Sequence, residues 1–495
     1  MRRNDRRRLR AGVALLMLVT TACSGAQLKN GQGPVSGIGQ QSFNPDAPPP
    51  SGTPDASASA SASAKPGGKG AKPGTPGTSG APGAPGVSQG PGAPGGRVPT
   101  SGAPQPPRDV PGDLNLFAGA LNTRGITNDR ITLCAHAALT YADAFQTRPE
   151  DFNVFWSNVN DNGGIHGRRV EMTYEDDAYD SQQAKVAATT CANKDPFAIL
   201  GGIGFDQIPG VRDWAEAHKE LYIHHDATEQ GLAGKQYSFT PIPTVEKLGA
   251  MFAELANAKF KGKRIGVVYR DSVFWKPGFD GFKAAAKRYG LDVVRELGVQ
   301  KNQANYGQQL LDLQQNDVDV VFAWENALAA TEMINQSPPG FTPSWMVFPF
   351  NLTTQTLTNR NLDIWGIASW PAYSHRDTSG PFASYAADIR EFERQYAKYR
   401  PNVDLAGVGG DLLFLNWVSQ KAFADVLVKC GAACTRNHFA TLMTRYKGTV
   451  SPNCYADFPR FGGHLGSQAV NVFRTYVGPS GKLGWKPEHR CVEKL

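Results

Sequence analysis

Apolar runs and polar, helix-period segments alternate in this chain from about residue 125 onward. ITLCAHAAL (131–139) is a short apolar strand that ends in small residues. DFNVFWSNVNDNGG (151–164) places Phe152, Phe155 and Trp156 on one helical face and stops at Gly163-Gly164. RRVEMTYED (168–176) alternates Val170, Met172 and Tyr174, as a half-buried strand does. SQQAKVAATTCANK then predicts a helix, FAILGGIG a buried strand, QIPGVRDWAEAHK a helix and LYIHHDAT a strand. A second run follows through KRIGVVYRD, GFDGFKAAAKRYG, LDVVREL, NYGQQLLDLQQND, VDVVFAWEN, LAATEMINQ and SWMVFPF. Two runs of strand–helix alternation predict two α/β units with mainly parallel sheets, meeting near Pro241–Val245.

The first hundred residues behave differently. MRRNDRRRLRAGVALLMLVTTAC has a basic start, an apolar run from about Ala11 to Val19 and small residues before Cys23. That is the pattern of an export signal over residues 1–22, and the apolar run is about half the ~20 residues a spanning helix needs. Residues 20–23 resemble the lipobox of bacterial lipoproteins, with Thr20 where leucine is usual, which makes Cys23 the expected lipidation site. Residues 23–115 are read as a tether. From about Gln41 to Arg108 the chain is Pro, Gly, Ala, Ser and Thr, too poor in apolar groups to bury a core. A flexible segment of about 65 residues reaches ~40–50 Å, enough to hold a folded domain clear of a membrane anchor.

Charge adds little beyond this. The 495 residues carry a net charge of +7, but six Arg and one Asp in residues 1–22 account for five of those charges. The rest is nearly balanced and has no basic patch or base-stacking motif, so nucleic acid is not an expected partner. A hydrophobic fraction of 40% is enough for large cores.

Five stretches in order resemble the type I periplasmic-binding-protein superfamily, in the branched-chain amino-acid receptor branch of ABC importers. They are GITNDRITL, NDNGGIHGRRVEMTYEDDAYDSQQA, FAILGGIGFDQI, LYIHHDATEQGL and RIGVVYRDSVFWKPGFDGFKAAAKRYG, and the resemblance spans roughly residues 125–477. It implies an α/β fold of two lobes, each a mostly parallel sheet flanked by helices and joined by a multi-strand hinge. Lobe one is expected over 116–245 and 370–448, lobe two over 246–369 and 449–495. The acids Glu175, Asp176 and Asp177 then belong to a strand-to-helix turn that Asp180 or Ser181 caps, a structural role.

The resemblance also places a ligand between the lobes. In lobe one it points to Phe205, where the family typically carries a hydroxyl, to Asp206, an acid unusual for carboxylate capture, and to Ala227 and Thr228, which match carboxylate-binding positions. In lobe two it points to two acid positions for an α-ammonium group, the first filled by Asp271 and the second, around Phe348–Phe350 where there is no acid, by Glu325 in substitution. Phe274, Trp275, Trp324 and Phe350 would form an aromatic wall. His224 and His225 are neighbours on a strand and face opposite ways, so they do not make one metal site. No Gly-x-Ser-x-Gly or paired-carboxylate motif supports an enzyme, and no cofactor is expected.

With Cys23 lipidated, six cysteines remain, an even number for an oxidising compartment. The lobe assignment that the resemblance implies pairs Cys134 with Cys191, Cys430 with Cys434 and Cys454 with Cys491. The expected protein is an exported, lipid-anchored, monomeric solute-binding protein. It would hand a small polar or amino-acid-like ligand to an ABC permease in the membrane. A tethered sensory receptor of the same fold is the alternative.

Overall fold

The computed structural model describes residues 103–141, 148–202, 204–348, 357–358, 362–369, 373, 386–405, 409–449, 454–477 and 483–495. The signal, most of the tether, Cys23 and Phe350 lie outside the described residues.

The first sheet holds β1 (Arg130–Ala137), β2 (Arg169–Asp176), β3 (Ala198–Leu200), β4 (Tyr222–Ile223) and β5 (Ser238–Phe239), in the order β2-β1-β3-β4-β5 and parallel throughout. Parallel neighbours need crossovers, and helices α1 (Val154–Asp161), α2 (Ser181–Ala192) and α3 (Ile208–His218) supply them. The turn between α1 and β2 depends on Gly164, whose φ is +71°. A Cβ there would stand 1.9 Å from the carbonyl oxygen of Arg168. Asp180 caps α2 by accepting from the N–H groups of Gln182 and Gln183.

After β5 the chain enters α4 (Val245–Lys259) and then the second sheet. Its strands are β6 (Arg264–Arg270), β7 (Asp292–Val299), β8 (Val320–Trp324), β9 (Ser344–Val347) and β10 (Ile364–Ala368), all parallel. The intervening helices are α5 (Lys276–Tyr289), α6 (Gly307–Gln315) and α7 (Ala327–Asn335). The helices α4 and α5 cross closely enough that a Cβ on Gly249 would lie 1.8 Å from the carbonyl oxygen of Gly278.

Beyond β10 the chain returns to the first lobe as α8 (Ala386–Tyr399), α9 (Gly409–Cys430) and α10 (Arg436–Arg445). The Tyr396 hydroxyl donates to the carbonyl of Asp151, Trp417 meets Phe155 edge-on, and Phe439 meets Phe197. A short antiparallel pair, β11 (Lys447–Thr449) and β12 (Tyr455–Asp457), leads back to β13 (Val470–Val477) and β14 (Leu483–Val492). These two add antiparallel to one side of the second sheet, β14-β13-β10-β9-β8-β6-β7, with β14 at its edge. The fold is therefore the two-lobed α/β architecture expected from the sequence. Three disulfides, Cys134–Cys191, Cys430–Cys434 and Cys454–Cys491, join the six described cysteines in the expected pairs.

Candidate functional site

The strand ends of both lobes meet at one place. From lobe one comes the loop after β3, which bends at Gly204 (φ +125°) because any Cβ there would run into the Tyr179 ring. Phe205 and Asp206 follow before α3 begins, and Gln207 beside them donates to Asp177 at 3.4 Å. From lobe two come Arg270 at the end of β6, Trp275 just ahead of α5 and Glu325 at the end of β8.

Phe205 leaves its own lobe. Its ring lies 4.5 Å from that of Trp275, 5.7 Å from Trp324 and 5.8 Å from Phe348 between centroids, inside the apolar cluster of lobe two. Asp206 accepts from Arg270 Nη1 at 2.9 Å and from Trp275 Nε1 at 3.1 Å, with Lys301 Nζ at 3.5 Å. The remaining edge of Arg270 is taken by Glu325 in a two-point pair, Nε to Oε1 at 2.8 Å and Nη2 to Oε2 at 2.6 Å. Planar guanidinium and carboxylate match in this geometry, which fixes direction as well as charge. The guanidinium also lies 4.7 Å from the centroid of the Trp275 ring.

All four partners are buried: Arg270 is 1% exposed, Glu325 0%, Trp275 2% and Asp206 5%. Burial opposes the charge on Arg270, but the charge and hydrogen bond of Glu325 outweigh it and hold the guanidinium pKa above its ordinary range. Burial raises the Glu325 carboxyl pKa against the pull of Arg270. Further contacts bind the lobes nearby. Lys301 donates to the carbonyl of Tyr179 at 2.6 Å, and Tyr141, stacked on Tyr179, donates to Asn302 at 2.8 Å.

The structure thus gathers Phe205, Asp206, Trp275 and Glu325 into one cluster around a residue the sequence reading passed over. Arg270 was detectable: a charged residue at the end of the apolar run IGVVYR sits on the opposite face from Asp271. Asp271 uses its backbone N–H in a bond to Val299, and its side chain is exposed, outside the cluster. Phe274 is half-buried against the lobe-two core. Ala227 is buried and its carbonyl accepts from Val245 N–H, while the Thr228 hydroxyl caps a short helix by accepting from Gly231 N–H. Ala227 and Thr228 therefore hold local structure in this state.

Between the Thr228 loop and the sheet lies a second polar group. Burial pushes the His225 pKa down to about 4, lowers that of His224, and raises that of Asp226 well above the carboxylate range. Among the described residues no cluster of His, Cys, Asp and Glu suits a metal ion. His225 also borders a lobe-one cavity of about 50 Å³ with His136, Tyr174, Asn416 and Gln420.

A family model described as periplasmic binding protein matches residues 152–475, well over half of the chain. Comparison with curated proteins gives no match. Among solved structures, a fatty acid ABC transporter substrate-binding protein from Thermomonospora curvata is 19% identical, with a TM-score of 0.61 over 75% of this chain and 94% of that one. A branched-chain amino acid ABC transporter protein from Thermus thermophilus with bound valine is 14% identical, with a TM-score of 0.59 over 74% and 96%. A solute binding protein from R. palustris in complex with 4-hydroxybenzoate is 14% identical, with a TM-score of 0.60 over 73% and 96%. At these identities the likeness is one of fold.

Proposed function

Since the chain belongs to the periplasmic binding protein family, whose members bind solutes and catalyse nothing, we propose that it is the extracytoplasmic solute-binding protein of an ABC importer. Its ligand is a small molecule taken between the lobes. The observation that carries this reading is the contact of Asp206 in lobe one with Arg270 and Trp275 in lobe two. It holds the lobes together through groups that a ligand can also use. A ligand shifts a hinge only through a difference in affinity between open and closed states, and groups contributed by both lobes supply that difference. The lobes turn about the segments where the chain crosses between them.

Cys23 carries the lipid and the monomer delivers its ligand to a permease in the same membrane. The tether ends before the expected residue 115, because Gln105 and Arg108 already bond to the carbonyls of Ala432 and Ala433, and Leu114 N–H to the Thr441 hydroxyl, all in lobe one. A thermal-shift screen of metabolites, followed by calorimetry, tests the reading. A hit whose binding is weakened by Trp275→Ala supports the cleft. A hit unaffected by substitutions at Trp275, Asp206 and Arg270 places the ligand elsewhere.

A further inference from the structure

The cleft reading can be taken one step further, to the chemistry of the ligand, and this step rests on that reading. Two adjacent lobe-one side chains enter lobe two together. One is a phenyl ring, Phe205, in a box made by Trp275, Trp324 and Phe348. The other is a carboxylate, Asp206, on Arg270 Nη1, Trp275 Nε1 and Lys301 Nζ. A ring and a carboxylate that both touch Trp275, joined along the chain by two Cβ atoms and the backbone between them, are the two halves of an aromatic carboxylic acid with an extended spacer. We propose that lobe two is a receptor for an aromatic carboxylate, and that Phe205 and Asp206 fill it as the chain's own surrogate until the ligand displaces them.

The charges select the acid. Without Asp206 the site holds Arg270 and Lys301 against Glu325, a surplus of one positive charge that a carboxylate neutralises and an ammonium group worsens. Glu325 has only about one of its roughly four acceptor sites left for an amine. One oxygen is held by Arg270 Nε, the other by Arg270 Nη2 and the N–H of Asn326. Trp275 Nε1 is a donor only, so it serves an anion and not a cation. Fixed on its other edge by Glu325, Arg270 keeps Nη1 aimed at the position Asp206 now fills, which makes the donor set preorganised. The box itself suits a flat ring, since Trp275 meets Phe205 edge-on and Trp324 lies nearly parallel to it at 26°.

The test is calorimetry with the phenylalkanoates from 3-phenylpropanoate to 7-phenylheptanoate, and with the amide and the amine of the chain length that binds best, on the parent and on Phe205→Ala/Asp206→Ala. A tethered surrogate competes at a millimolar or higher effective concentration. Removing it should tighten the acid by about tenfold or more, and the amide and amine much less. Trp275→Phe keeps a ring and removes one donor, and it should weaken the acid in either background. Equal affinity for the acid in parent and double variant overturns the proposal, as does an equal gain for the amine. If another solute closes the lobes while the acid responds to none of these changes, the ligand class is wrong and the cleft stands. If no solute of any class binds at the cleft, the reading beneath it fails as well.

Discussion

Asp177 Oδ2 lies 2.7 Å from Nδ1 of His136, and neither side chain is exposed to solvent. With Asp177 as a carboxylate, Nδ1–H is the donor, and Nε2 is left to accept from the Tyr222 hydroxyl at 2.7 Å. The other Asp177 oxygen accepts from Tyr179 N–H and from Gln207, next to the loop that carries Phe205 and Asp206. The last acid of the EDD cluster is therefore a buried strut beneath the site, whereas Asp176 is exposed and binds the turn at Leu139 and Thr140.

Asp177→Asn removes a charge-assisted bond in a buried setting. It should lower unfolding free energy by about 1.5–3 kcal/mol, measured by urea denaturation. A midpoint unchanged from the parent would show that the His136 contact contributes nothing.

His225 gives the fold a pH dependence. Its folded pKa is depressed from 6.5 to about 4, by burial first and then by the field of His136. The unfolded chain takes up this proton near pH 6.5 and the folded chain only near 4. Stability is thus lost as pH falls through that window, by up to about 3 kcal/mol. Asp226, whose pKa is raised by burial, works the other way: its protonation favours folding as pH falls toward 3.8. Comparing the parent with His225→Gln isolates the first effect. The variant should gain on the parent as pH is lowered below 6.5, and a constant difference between them would contradict the assignment.

Cys23→Ser should move the protein from the membrane to the soluble fraction and abolish incorporation of labelled palmitate. A parent that takes up no label, and fractionates as the variant does, rules out the anchor.

The fold was legible because each central strand is a continuous apolar run bounded by glycine, proline or charge, so FAILGG and VDVVFAW could be little else. Four of the residues that cluster around Arg270 were singled out too, through the loops that bear them. Arg270 was not, because one step along a strand exchanges the two faces and attention fell on Asp271. Asp177 was read as part of a helix start because its partner His136 sits 41 residues earlier on β1, and pairing at that distance leaves no local pattern. Nor does composition show that Phe205 leaves its own lobe to join the core of the other.

The central claim is that the lobes hinge and that the Asp206–Arg270 contact stands where a ligand binds. Pulsed-EPR distances between labels at the exposed positions Val186 on α2 and Leu311 on α6, in the Cys23→Ser protein, test it most directly. The account predicts a short, narrow distribution in the parent, a broader and longer one in Asp206→Ala, and a return to the short distance when a ligand found by the screen is added to that variant. One distribution, the same in all three samples, would contradict it.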